Sequence, residues 1–338
     1  MSDPQAGVGA AAWGLVVALQ ANYCQVVLDA AGPHGAISLL CTRRSRLGNA
    51  GEQVWVGDRV RVEAIDRHAG RGVVAACEPR RCLLQRPPVA NVARVLVVVA
   101  LRQPEIDPLQ LTRFLLTAEA TGCPVLLVMA KADLLTEAER LAWPRRLAGW
   151  GYPPLLVSSH SGYGLEALRR VLVAEAGIQV ICGPSGVGKS SLINGLLPDL
   201  QLRVGAVSGR LQRGRHTTRH VELFALGGGA LLADSPGFNR PDLPADPAAL
   251  GALFPEVRAA LAAGGCRFRD CRHRGEPGCR LGSHWDRQAL YARCLEEVEA
   301  QATAAAAPPP GQRRRQQASR RRQRQALTDA VSPPDPED

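Results

Sequence analysis

Aromatic side chains are scarce, 4% of 338 residues, so the cores must be built from Val, Leu, Ala and Ile. No apolar run reaches the roughly 20 residues a membrane helix requires. The opening stretch MSDPQAGVGA lacks the positively charged start of a secretory signal. Both absences point to a cytoplasmic protein with no membrane partner. The ten cysteines should then stay reduced, and Cys123 and Cys182, each alone in an apolar segment, read as small buried hydrophobes. Acidic charge is also short: 31 Asp and Glu face 41 Lys and Arg, a net charge of +10. That balance favours a polyanionic partner. Seven of the arginines lie between Arg313 and Arg324, in a segment without apolar periodicity.

What is present divides the chain into four. Residues 1–85 carry five short apolar or alternating runs (GLVVAL, CQVVLDA, GAISLLC, VWVGDRVRVEAI, RGVVAAC) broken by Gly, Pro and Asn. This suits a small β-barrel, either an oligonucleotide-binding OB-fold or a barrel with no binding role. From 86 to 240 strands alternate with helices, the pattern of a parallel sheet with crossover helices. RVLVVVAL is a strand covered on both faces. Asp107-Pro108 starts a helix ending near Gly122, PVLLVM is the next strand, and Thr136 with Glu139 has capping-box spacing. PLLVSS, a helix from about Gly164, and IQVIC follow. Residues 241–303 read as a small helical domain. Residues 304–338, with AAAAPPPG, the Arg/Gln run and the acidic end SPPDPED, read as a disordered tail.

The chemistry is carried by Gly183-Pro184-Ser185-Gly186-Val187-Gly188-Lys189-Ser190-Ser191, which fits the P-loop pattern between the strand IQVIC and a helical segment. Glycines let successive backbone N–H groups face phosphates, and the helix N-terminus favours negative charge. Lys189 has the reach for the β- and γ-phosphates, and Ser190 for Mg²⁺. Two further segments separate a GTPase from an ATPase or kinase. Asp234-Ser-Pro-Gly237 follows an apolar strand, as a metal-side Asp and a γ-phosphate-sensing Gly should. Ala130-Lys131-Ala132-Asp133 resembles the Asn-Lys-x-Asp motif, whose carboxylate accepts from both N1–H and the 2-amino group of guanine. Both it and Ser158-Ser159 precede the P-loop, so the order of an ordinary GTPase is permuted. A parallel sheet tolerates this, because the site needs loops at one sheet edge and not a given chain order.

With these motifs the chain resembles the ribosome small-subunit-dependent GTPase A family, RsgA or YjeQ, over residues 12–295. Gly214-Arg215-His216-Thr217-Thr218 and Asp234-Ser-Pro-Gly237-Phe238 match its switch segments. The resemblance implies an OB-fold, a circularly permuted G domain and a C-terminal zinc domain. It also implies GTP hydrolysis to GDP stimulated by the small ribosomal subunit and a role in that subunit's late maturation. Small-subunit rRNA and GTP with Mg²⁺ are the expected partners of a monomer. Thr218 is the favoured switch threonine over Thr217. One departure is Ala130, where the family has Asn, a missing buried hydrogen bond worth about 1–2 kcal/mol. Another is Phe238, where many GTPases carry the water-orienting Gln. His216 is the local substitute, since a neutral imidazole accepts a hydrogen bond from water, and Arg215 is a weaker candidate for a charge-stabilising finger. A P-loop ATPase or kinase, or an RNA-binding module with a degenerate G domain, are the competing readings.

Cys266, Cys271, His273 and Cys279 form Cys-x4-Cys-x-His-x5-Cys. Three thiolates and one imidazole make a tetrahedral set for one structural Zn²⁺ with no position open to water. Cys294 and His284 are more distant competitors. Arg267, Arg269, Arg272, Arg274 and Arg280 surround the set, which gives the module either a basic face for RNA or an ordinary solvated one.

Overall fold

The computed structural model describes residues 8–20, 22–32, 35–44, 53–85, 88–200, 221–234, 241, 243–282 and 284–306. His216, Thr218, Gly237, the other residues of 201–220 and 235–240, and the tail arginines lie outside them.

The N-terminal strands are β1 (Val8–Gly9), β2 (Ala12–Gln20), β3 (Tyr23–Gly32), β4 (Gly35–Arg43), β5 (Arg59–Asp66) and β6 (Arg71–Cys77). They run in the order β2-β3-β4-β6-β5, and β5 pairs back onto β2. The barrel is therefore closed, and among the described residues its one parallel pairing is β4 with β6. This is an OB-like barrel. Alternation sends Val16, Val26, Leu39, Val60, Val62 and Val74 into one core. Cys24 and Cys41 sit in that core opposite one another, and burial pushes their thiols up to about 11 and about 12. β5 begins later than the sequence run VWVGDRVRVEAI suggests. Asp58 accepts from the Trp55 backbone N–H at 2.7 Å and pairs with Arg80, which turns the chain before Arg59.

A short hairpin, β7 (Leu83–Gln85) and β8 (Pro88–Ala90), leads into the α/β domain. Its strands are β9 (Val92–Ala100), β10 (Val125–Ala130), β11 (Leu155–Leu156), β12 (Gly177–Cys182), β13 (Glu222–Gly227) and β14 (Ala230–Asp234), in the order β13-β14-β12-β9-β10-β11. Among the described residues all its pairings are parallel except β13 with β14. The helices are α1 (Pro108–Glu119), α2 (Glu137–Gly149), α3 (Leu165–Val173) and α4 (Lys189–Leu196). Asp107 caps α1 by accepting from the Leu109 N–H, and the Thr136–Glu139 capping box opens α2. Both starts match the sequence reading. β13 also pairs with β2 through Glu222 and Ala18, so barrel and α/β domain share one twelve-stranded sheet.

The C-terminal unit holds α5 (Pro255–Ala262) and α6 (Gln288–Ala306), and α6 runs past the boundary expected at 303. Tyr291, Cys294, Leu295 and Val298 of α6 pack with Leu109 and Leu116 of α1 and with Leu250, Phe254 and Val257. Arg287, fully buried, lies 4.6 Å from the Phe254 ring centre and 4.9 Å from that of Trp150, and forms an ion pair with Glu256. Asp286 accepts from Arg146 at 2.8 Å and from the Trp150 indole N–H at 2.5 Å. These contacts fix the C-terminal unit to the end of α2. No helix among the described residues is long and apolar enough to cross a membrane.

Candidate nucleotide site and metal centre

The central strand β12 delivers the Gly-rich loop, and its neighbours deliver the remaining candidates to the same edge. β12 is flanked by β14, which ends at Asp234, and by β9; β10 ends at Ala130, and the segment after β11 holds Ser158 and Ser159. In an open parallel sheet this carboxyl edge is where ligands bind. The Ile181–Asp234 register pair sets the Asp234 backbone beside the end of the P-loop strand.

The loop geometry demands its glycines. Gly183 has φ +141, and a Cβ there would lie 2.0 Å from the Val98 carbonyl oxygen. Gly188, at φ +99, caps α4 without a side chain, which leaves the helix N-terminus open to an anion. The largely buried Lys189 ammonium donates to the carbonyl oxygens of Gly183 and Pro184, each at 2.7 Å. Ser185 and Gly186 are exposed at the loop's tip, Val187 is packed beneath it, and Ser190 and Ser191 lie in the first turn of α4, half-buried.

The guanine-type segment follows β10. Ala130 is buried within the same apolar cluster as Val187. Lys131 takes φ +55 and sends its ammonium back across the P-loop, donating to the Gly186 carbonyl at 2.8 Å and to that of Gln103. Ala132 is buried, and its N–H donates to the Val157 carbonyl. The Ser158 hydroxyl donates to the Asp133 carboxylate and accepts from the Ser161 N–H at 3.1 Å. That hydrogen bond from Ser158, helped by the charges of His160 and Arg140, holds the Asp133 carboxyl below its usual range. Asp133 is exposed, not buried as a base-reading carboxylate would become on binding. Ser159 is exposed beside it. The structure thus brings Gly183–Ser191, Ala130–Asp133 and Ser158 to one edge. Composition and spacing missed Arg102, Gln103 and Arg140: Arg140 donates to the Ala132 carbonyl at 2.8 Å, across eight residues with no motif to mark it.

The four metal candidates converge as well, their ligand atoms all lying within 4.8 Å of one another. His273 Nδ1 is 3.5 Å from Cys266 Sγ and 3.7 Å from both Cys271 and Cys279 Sγ. Bond lengths to tetrahedral zinc require an N···S edge of about 3.6 Å. The cluster therefore fits one structural zinc. Burial lowers the His273 pKa, which keeps the imidazole neutral as a ligand must be, and pushes the Cys271 thiol up to about 12, a cost that a bound cation offsets. Two features orient the set. The His273 ring lies under Gly251, where a Cβ would come within 3.3 Å, and Glu276 accepts from the N–H groups of Arg272 and Arg274. Cys294 is buried in α6 and His284 is exposed, and neither belongs to the cluster. Of the five surrounding arginines, Arg272 and Arg274 both pair with Glu299 while staying exposed, and Arg280 is exposed too. Arg267 and Arg269 remain exposed, with Arg267 over the Phe268 ring.

The sequence profile described as RsgA GTPase matches residues 77–244. The small ribosomal subunit biogenesis GTPase RsgA of Synechococcus sp. (strain CC9605) is 62% identical over 284 residues, covering 84% of this chain and 93% of that protein. The protein of the same name from Parasynechococcus marenigrum (strain WH8102) is 59% identical, covering 84% and 95%. The crystal structure of YjeQ from Thermotoga maritima superposes with a TM-score of 0.70 at 27% identity, covering 86% of this chain and 99% of that one. YloQ, described as a circularly permuted GTPase, shares the fold with a TM-score of 0.68.

Proposed function

Because this chain belongs to the RsgA GTPase family, we propose that it hydrolyses GTP to GDP and phosphate on the small ribosomal subunit and assists that subunit's late maturation. The observation that carries the reading is the meeting at one sheet edge of a P-loop and Lys131-Ala132-Asp133, drawn from chain segments in permuted order. An ATPase or kinase is not favoured, since adenine offers no pair of donors to Asp133.

The residues divide the work. The backbone N–H groups of 183–188 and the α4 N-terminus cradle the phosphates, and Lys189 exchanges its two loop carbonyls for β- and γ-phosphate oxygens. Ser190, Asp234 and Thr218 are the residues suited to hold Mg²⁺, which would supply positive charge to the phosphates as the bond breaks. Asp133, steered by Ser158, accepts from the guanine edge, and Lys131 covers the base. Water attacks the γ-phosphorus as the bond to the β,γ-bridging oxygen breaks. His216 orients that water, and Gly237 senses the γ-phosphate. The barrel (1–85) and the zinc unit (241–303) flank the G domain (86–240) and grip rRNA, with the Arg-rich tail (304–338) as an electrostatic supplement. The protein works as a cytoplasmic monomer. Multiple-turnover phosphate release, measured with and without small ribosomal subunits, tests the proposal. Stimulation by the subunit and inhibition by GDP but not ADP are expected, and turnover indifferent to both would overturn it.

A further inference from the structure

Ala130 removes the tie that an asparagine makes between a guanine-recognition loop and its surroundings, yet the loop is not left loose. Lys131 bridges the Gly186 carbonyl of the P-loop and the Gln103 carbonyl of the loop between β9 and α1. Pro104 of that same loop stands against Gly186, 3.6 Å from where a Cβ would be. The neighbouring Arg102 reaches across to Glu139 at 2.5 Å. Glu139 is the capping-box carboxylate of α2, the helix that begins where the guanine-type segment ends. It accepts from the Thr136 N–H at 3.0 Å and from the Thr136 hydroxyl at 3.1 Å. Hydrogen bonds and the chain itself close a ring through Lys131, Gln103, Arg102, Glu139 and Thr136, and Lys131 ties that ring to the P-loop.

We propose that Arg102 is a positioning residue for guanine-nucleotide binding, clamping the 101–106 loop to Glu139 so that the Gln103 carbonyl stays where Lys131 needs it. An isolated exposed ion pair contributes little, because two long side chains must be ordered for one contact. Here the carboxylate is already fixed by its bonds to Thr136, so only Arg102 has to be ordered. Both atoms of the Lys131 bridge are backbone carbonyls, so what can be tuned by sequence is the placement of the loop, and Arg102 is the side chain that places it. The ring joins the P-loop at the Gly186 carbonyl and beside Gly188, through a residue of the guanine-type segment. It should therefore govern nucleotide affinity and leave the chemical step alone.

The inference rests on the GTPase reading, and the experiment separates the two. A fluorescent GDP analogue is titrated into the full-length wild type, Arg102→Ala, Arg102→Lys, Ala130→Asn and the Arg102→Ala/Ala130→Asn double variant, with GTP and ATP as competitors. Arg102→Ala should bind roughly five-fold more weakly, raise the KM for GTP with kcat unchanged, and leave the thermal midpoint unmoved. Arg102→Lys should recover part of the loss, and Ala130→Asn should restore binding in the Arg102→Ala background. Unchanged affinity in Arg102→Ala overturns the inference. So does a loss of affinity that follows a fall in thermal midpoint and is not rescued by Ala130→Asn, since Arg102 would then only stabilise the fold. A wild type that binds ATP as well as GTP defeats the GTPase reading itself.

Discussion

Replacing Cys271 with alanine leaves three ligands for an ion that needs four, and the consequences divide along a line the structure draws. Zinc contributes on the order of 10 kcal/mol to a small module, more than the loops from Cys266 to Cys279 offer from their own packing. Their side chains are mostly exposed, and Phe268 is 53% exposed. Those loops should unfold without the metal. Helix α6 is held differently: Tyr291, Cys294, Leu295 and Val298 are at most 2% exposed and pack against α1 and α5. Each such burial contributes about 1.5–3 kcal/mol, and the Arg287–Glu256 pair among the aromatics adds to it. Docking of α6 on the G domain should therefore survive loss of zinc. Metal analysis should give one zinc per wild-type chain and a large deficit in Cys271→Ala. Hydrogen exchange should then show lost protection across 266–280 with amides 291–298 still protected. Full zinc in the variant would remove Cys271 from the ligand set, and loss of protection throughout α6 would show that zinc organises the whole unit.

Asp133→Asn should relax guanine selectivity towards xanthine, because the amide presents a donor where guanine also donates; competition with GTP, XTP and ATP checks it, and retained GTP preference would be contrary. His216→Ala should lose stimulation by small subunits while nucleotide affinity stays nearly intact, as phosphate release compared with equilibrium binding would reveal. Asp286 supplies a pH test. Hydrogen bonds from Arg146 and Trp150 hold its carboxyl below the usual range. A depressed folded pKa stabilises above the unfolded value and is lost as pH falls through the folded one. Asp286→Asn should thus be less stable than wild type in urea at pH 7, with the gap closing below about pH 4; a gap independent of pH would refute the assignment.

Legibility in the sequence followed the range of the interactions. The capping box needs only Thr136 and Glu139, the P-loop is nine consecutive residues, and the zinc ligands fall within one short segment. Each could be read because its parts are chain neighbours. The strand Glu222–Gly227 escaped notice. Its buried residues, Leu223 and Leu226, are three apart across a register shift and not two, so ELFALG shows no clean alternation, and it is recognisable as a strand mainly through its partners β14 and β2. The pairing of Arg102 with Glu139 spans 37 residues and that of Trp150 with Asp286 spans 136. No local pattern announces either. Glu299 lies 27 residues from Arg272 and 25 from Arg274, so their ion pairs show in no local pattern either.

The shared sheet has a further consequence. A G domain cut from the chain at about residue 86 would keep β13 but lose the barrel strand that runs beside it. The cluster that holds Val221 and Leu223 would lose Leu15, Val17 and Leu19, which pack against it, and β13 would present an unpaired strand edge. Such an edge is a template for pairing with another chain. The barrel is thus also a guard against self-association, and a fragment lacking it should precipitate or dimerise through β13 however sound its nucleotide pocket remains.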